Sequence, residues 1–224
     1  MREEAFVNGE FYHIYNRGVD KRNVFTDKYD LARFFQSINE FNVVKPIGSL
    51  YENSFRRNKL GGKTAKFEEE RLVNIICYCL NPNHYHFILE QVSDTGISEF
   101  MRRLGGGYTW YFNNKYKRNG SLFQGKFKDS HIGTNEYLLY LSAYVNLNNK
   151  VHQLGGLTAK LVKSSWGEYI DESVDKKGEK LCHTDIVLNQ FRSKAEYKKF
   201  AYSALNSILK NKEKKKELEK MLLE

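Results

Sequence analysis

The spacing of hydrophobic positions changes several times along the chain, and each change marks a new element. "EFYHIYNRG" (10–18) alternates aromatic or apolar residues with polar ones and ends in Asn-Arg-Gly, the pattern of a strand running into a turn. In "TDKYDLARFFQSINEFNVV" (26–44), Leu31, Phe34, Phe35 and Ile38 recur at helical spacing, behind Thr26 or Asp27 as a cap. "RLVNIICYCL" (71–80) is apolar and β-branched, a buried strand; "NPN" (81–83) turns the chain, and "HYHFILEQ" (84–91) returns antiparallel to it. "GISEFMRRLGGGYTWYFNNKYKR" (96–118) has the pattern of a basic amphipathic helix, which Gly105–Gly107 is expected to interrupt. "NGSLFQGKFKDSHI" (119–132) is punctuated by glycine and reads as a short hairpin or loop. "TNEYLLYLSAYVNLNNK" (134–150) reads as a helix capped by Thr134, with Glu136 in its first turn. After the loop that follows Trp166, residues 183–210 form one or two helices and 211–224 a charged helical tail.

This order predicts an α+β fold: a central antiparallel β-sheet flanked by α-helices. Periodicity is lost over 45–70, which reads as a mobile loop insertion. Its "GGKT" does not make a phosphate-binding loop, because Arg57 stands where that motif needs glycine. The expected division is one domain over 1–170 and a helical C-terminal extension over 171–224.

Charge and cysteine usage narrow the function. The chain carries 36 Lys and Arg against 27 Asp and Glu, a formal charge of +9. Seven of the cations (Arg102, Arg103, Lys115, Lys117, Arg118, Lys126, Lys128) fall between Met101 and His131, where Asp129 is the single acid. Seven aromatic rings are interleaved with them, among them Tyr108, Trp110 and Phe123. Cations that meet phosphates and rings that stack on bases suit single-stranded nucleic acid; a core helix with a solvated face is the plainer alternative. Cys77, Cys79 and Cys182 do not make a disulfide framework. There is neither a signal-peptide pattern nor an apolar run of about 18 residues, so no membrane partner is expected, and a reducing, cytoplasmic setting fits.

The chemistry centres on two places. On a strand, His84 and His86 share one face while Tyr85 takes the other, so two imidazoles can reach one divalent ion. Alone, the His-x-His spacing also describes structural or surface histidines. A zinc site joining them to Cys77 and Cys79 is less favoured, because both sulfurs sit inside an apolar run and read as core. In the helix over 134–150, Tyr144 and Asn148 lie one turn apart, and the Asn148 amide is a capable oxygen ligand for a hard cation. A tyrosine hydroxyl is a poor nucleophile at its ordinary pKa. A metal that polarises a phosphodiester would let Tyr144 attack phosphorus and hold it as a covalent phosphotyrosine. Plain packing is the alternative for Tyr144.

Four blocks, "YHIYNRG", "CLNPNHYHFIL", "YTWYFNNKYKRNGSLFQGKFK" and "YLLYLSAYVNLNNKVH", stand in the order seen in insertion-sequence-200-like transposases. The chain resembles in particular the REP-associated tyrosine transposases, members of the HUH single-strand endonucleases, over residues 8–170. The resemblance implies metal-dependent cleavage and rejoining of single-stranded or hairpin DNA, with Mg2+ or Mn2+ as cofactor, leaving a 5′-phosphotyrosine and a free 3′-hydroxyl. It implies His84 and His86 as the histidines of the HUH motif, Tyr144 as nucleophile and Asn148 as third metal ligand. Asn149 stands where relatives usually have proline, so the helix is expected to run further. Some relatives exchange the tyrosine helix between protomers. The REP-associated members keep the site in one chain, so a monomer is expected, with a homodimer as the alternative. A bacterial-type, nucleoid-associated protein is the implied setting.

DNA contacts are expected from Asn16 and Arg17 after the first strand. Arg102, Arg103, Lys126 and Lys128 are expected to track the backbone, and Tyr108, Trp110 and Phe123 are candidate stacking rings. The competing reading is a domesticated, non-catalytic protein that binds single-stranded or hairpin DNA.

Overall fold

In the computed structural model, residues 5–53, 70–152, 154–170 and 180–221 are described. Five antiparallel strands form one sheet: β1 (Phe11–Arg17), β2 (Val73–Asn81), β3 (His84–Gln91), β4 (Lys128–His131) and β5 (Lys163–Ser164), in the order β4-β1-β3-β2-β5. β2 and β3 lie in the middle and are buried on both faces, which is why they read as nearly continuous apolar runs. Most of the expected 45–70 loop, from residue 54 to 69, lies outside the described residues, as do 171–179.

Each face of the sheet has its own core. On one face α1 (Lys28–Glu40) and α2 (Gly96–Tyr116) cover Tyr12, Ile14, Tyr85, Phe87 and Leu89. The Asp27 side chain caps α1 by accepting from the backbone N–H groups of Tyr29 and Asp30. The two helices are tied by Lys115, whose Nζ lies 2.7 Å from both Asp27 and the wholly buried Asp30. Burial opposes ionisation of Asp30, but hydrogen bonds from Lys115, Thr26 and Tyr116 outweigh it and hold the carboxyl below its usual range.

The glycine run does not interrupt α2, contrary to expectation. Gly107 is explained by packing, since a Cβ there would stand 2.9 Å from the ring of Phe41. Tertiary contact on either side of the run outweighs a helix penalty of about 1 kcal/mol per glycine.

On the opposite face lie α3 (Asn135–Asn146), α4 (Asn148–Val151), α5 (Trp166–Ile170), α6 (Asp185–Leu188) and α7 (Lys194–Met221). Thr134 caps α3 as the sequence predicts, accepting from the Tyr137 N–H at 3.2 Å. Tyr197, Ala201, Ala204 and Leu205 of α7 share one core with Leu141 and Val145 of α3 and Ile76 and Ile88 of the sheet. The first half of α7 is thus part of the central packing rather than a loose tail.

Candidate active site

The expected long helix over 134–150 is divided. At Leu147 the backbone leaves helical geometry (φ −108°, ψ 16°), and a short helix resumes at Asn148. The helix therefore bends before position 149 and continues past it to Val151, so the residue that replaces proline is accommodated in a new turn. Asn146, between Tyr144 and the break, anchors the bend. Its Nδ2 donates to the Tyr197 hydroxyl (2.9 Å), and its Oδ1 accepts from Ser165 Oγ (2.6 Å), which in turn bonds the backbone of Tyr78 on β2.

Pairing register builds the other half of the site. Tyr15 and Arg17 of β1 lie opposite His86 and His84, and Cys79 and Asn81 of β2 lie opposite the same two residues. Strand alternation then puts His13, Tyr15 and Arg17 on the face that carries His84 and His86. His13 Nε2 and His86 Nδ1 share a hydrogen bond of 2.9 Å between nearly parallel rings. The His152 ring centroid stands 4.8 Å from that of His84. Four of the six histidines in the chain meet here, of which His13 and His152 had no role assigned from sequence.

Burial draws all four down. His13 and His84 fall to about 4; His86 falls well below its ordinary value, with its histidine neighbours adding to the effect; and His152 is lowered by burial and then by Lys212 and Arg17. All are neutral imidazoles near pH 7, the form that can donate a lone pair to a metal.

The donors fit a cation. Asn83 Oδ1 can only accept, so the 2.6 Å bond to His84 Nδ1 puts the proton of the ring on that nitrogen. The other ring nitrogen, Nε2, then carries a lone pair and stands 3.1 Å from Asn148 Oδ1, itself an acceptor. Asn81 Nδ2 donates to that same oxygen at 2.8 Å and lies 3.0 Å from His84 Nε2, fixing both orientations. Asn148 Nδ2 is buried without a hydrogen-bond partner. On His86 the Nδ1 atom is taken by His13, so Nε2 is the nitrogen left for a ligand. Among the described residues no group of three or more His, Cys, Asp or Glu side chains could hold a metal ion, so a third donor beside the two histidines would have to be of another kind, such as the Asn148 amide oxygen. Cys79 is not part of the set: burial pushes its thiol up to about 12 and its sulfur points to Asn81 Oδ1.

Tyr144 stands over this cluster in the same chain, its ring edge-on to His86 (5.7 Å between centroids) and to His13 (6.3 Å). Burial raises its hydroxyl pKa, while the Asn148 amide pulls the other way by favouring the phenolate. Tyr144, His84, His86 and His152 line a cleft of about 330 Å³ together with Arg17 and Lys128. Arg17 Nε is buried with no hydrogen-bond partner.

The remaining expected DNA contacts divide. Tyr108 is wholly buried and donates its hydroxyl to Val24 O, so it offers no face to a base; its position on the inner side of α2 decides this. Arg103 is also removed from the list, because its guanidinium is spent on Glu99 and on the carbonyls of Val43 and Val44. Arg102 is exposed but forked onto Glu99. Asn16, Phe123 and Lys126 line a second, larger groove, with Asn16 in the wall of both cavities. Gln124, which also lines the Tyr144 cleft, had no role assigned from sequence.

Among the described residues no helix is long and apolar enough to cross a membrane. No curated protein matches the chain. One solved structure, described as "Structure of the REP associates tyrosine transposase bound to a REP hairpin", aligns with a TM-score of 0.48 at 11% identity, over 80% of this chain and 97% of that one. The sequence profile of the family described as "Transposase IS200 like" matches residues 6–148, from just before β1 through His84, His86 and Tyr144 to Asn148. With well over half of its length in that match, including the strand and helix that form the cleft, the chain belongs to the IS200-like transposase family.

Proposed function

We propose that this transposase cleaves and rejoins single-stranded DNA, at or near hairpin-forming repeats in the manner of the REP-associated members, with Tyr144 as nucleophile. The observation that carries the reading is the meeting of Tyr144, His84 and His86 in one cleft of one chain, with the buried Asn148 amide oxygen 3.1 Å behind His84 Nε2. This also favours a site complete within a monomer. His84 Nε2, His86 Nε2 and Asn148 Oδ1 are the atoms that would hold Mg2+ or Mn2+. Such an ion supplies charge neutralisation at the phosphoryl oxygens and helps to align the phosphorus.

The chain's own residues do the rest. The Tyr144 oxygen forms a bond to phosphorus as its hydroxyl proton leaves, the bond from phosphorus to the 3′ oxygen breaks, and that oxygen takes up a proton. The products are a 5′-phosphotyrosine and a free 3′-hydroxyl. Rejoining reverses the exchange, with an incoming 3′-hydroxyl attacking phosphorus and Tyr144 leaving. Burial raises the pKa of Tyr144, so the hydroxyl is protonated at rest and must give up its proton in the course of attack. Arg17 and Lys128, on the walls of the same cleft, are the cations placed to hold the flanking phosphates.

The test is adduct formation on denaturing gels with hairpin oligonucleotides that carry single-stranded flanks. Wild-type protein should give a slow-migrating covalent band that EDTA suppresses and Mn2+ restores, and Tyr144→Phe should give none. A band of undiminished intensity from Tyr144→Phe would assign the nucleophile elsewhere.

A further inference from the structure

On the α1/α2 face of the sheet a groove of about 910 Å³ opens between α2 and the segment 121–127. Gly105 and Gly106 of α2 line it. Unlike Gly107, neither glycine is required by packing, since a Cβ at either would meet nothing within 4 Å. Two glycines with no internal contact cost the helix about 1 kcal/mol each, and what they provide is a strip without side chains that something outside the chain can approach closely. One turn on from Gly106, on the same side of α2, Trp110 is 70% exposed. The edge of Phe123 and the exposed Lys126 form the opposite wall. Two positions without side chains, an open indole and the Lys126 cation opposite suit a planar base with its phosphate.

The groove adjoins the cleft across the end of β1, the two lying on opposite faces of the sheet. Asn16 lies in the wall of both, held by its Nδ2 to Gly125 O at 3.2 Å. The loop from Ser121 to Lys128 contributes alternately to the two: Gln124 and Lys128 to the cleft, Phe123, Gly125 and Lys126 to the groove. We infer that this groove binds an unpaired nucleotide of the same strand whose phosphate is held at Tyr144, its base stacked on Trp110 above the Gly105–Gly106 strip and its phosphate on Lys126. The inference rests on the single-stranded-DNA reading above, and it names where the strand goes after leaving the cleft.

The experiment uses full-length protein in a Tyr144→Phe background, so that nothing is cleaved, and a fluorescein-labelled single-stranded oligonucleotide of random sequence read by anisotropy. Trp110→Ala and Gly106→Leu should each weaken binding by about 5- to 100-fold, the range for one lost base–aromatic stack. Trp110→Phe should stay within about threefold of the parent, because a ring is retained. Gly106→Leu puts a better helix former at an open position, so its melting temperature should hold or rise and misfolding cannot explain a loss. With Trp166→Phe, Trp110 is the sole tryptophan, and its emission should be quenched on titration with the oligonucleotide. Parent protein that binds while Trp110→Ala and Gly106→Leu bind equally well would overturn the groove and leave the catalytic reading standing. Equal competition by duplex of the same sequence would overturn the assignment to an unpaired base. A parent that binds no single strand would overturn both.

Discussion

His84 Nε2 and Asn148 Oδ1 face each other at 3.1 Å with a lone pair on each, because Asn83 keeps the proton of the imidazole on the far nitrogen. The Asn81 NH2 group bridges the two acceptors, at 2.8 Å from the oxygen and 3.0 Å from the nitrogen, and a cation bound by both lone pairs would take over that role. The lowered pKa of His84, about 4, leaves that nitrogen unprotonated near neutral pH and able to hold an ion. Removing the amide oxygen should therefore weaken metal binding directly. Asn148→Ala is expected to lower Mn2+ affinity by about tenfold or more, and Asn148→Asp, which replaces the amide with a carboxylate, should bind at least as well as the parent. Calorimetric or paramagnetic titration of Mn2+ in the absence of DNA measures this apart from activity. Equal affinities for all three proteins would place the ion elsewhere.

The same logic reaches one layer out. Asn83 and His13 are not ligands in this scheme, yet each determines which nitrogen of its partner histidine is free. Asn83→Ala and His13→Ala should each lower Mn2+ affinity by about 10- to 100-fold while leaving His84 and His86 in place. A conservative His13→Gln, whose side-chain oxygen can accept from a protonated His86 Nδ1, should recover part of the loss. If His13→Ala and His13→Gln behave alike, the contact serves packing rather than orientation.

Much of this site could be read from sequence, and the parts that could not share a cause. The strand pair around "NPN" was legible because both faces of β2 and β3 are buried and a proline-centred turn separates them. Tyr144 and Asn148 were legible as neighbours one turn apart, although the bend at Leu147 was not. His13 stands 73 residues from His86 and meets it only through the register of β1 on β3, which no local spacing encodes. Tyr108 and Trp110 look alike in composition; the direction each takes from α2 makes the first core and the second open. The glycine run misled for the converse reason, since propensity marks a break where contact with Phe41 on one side keeps the helix intact.

Burial of the histidines carries a cost that depends on pH. His13 and His84 titrate near 4 when folded and near 6.5 in an unfolded chain, so between these values the unfolded state binds more protons. Their depressed pKa means that stability is fully present above about pH 6.5 and is lost as pH falls toward 4. Metal-free protein should melt about 5–10 °C lower at pH 5 than at pH 7, and His13→Gln should reduce that difference. Calorimetry in EDTA-containing buffers makes the comparison. A flat profile would mean that these rings are more solvated than their packing suggests.

The last prediction concerns how the nucleophile is held. The Tyr197 hydroxyl of α7 accepts from Asn146 Nδ2 at 2.9 Å and shares a hydrogen bond with Ser142 Oγ at 3.1 Å, all three residues being buried. Asn146 sits two residues after Tyr144 and two before Asn148, so α7 braces the bend that presents both. Tyr197→Phe keeps the ring but leaves the Asn146 amide unsatisfied, which should cost about 1–3 kcal/mol, or roughly 2–10 °C in melting temperature. A purely structural role would end there. If the brace also sets the geometry of the site, Mn2+ affinity and the rate of adduct formation should fall at temperatures well below melting, where the protein is fully folded. Stability lost with both readouts unchanged would mean that the sheet alone, through Ser165 and Tyr78, suffices to hold Asn146 and with it the turn from Tyr144 to Asn148.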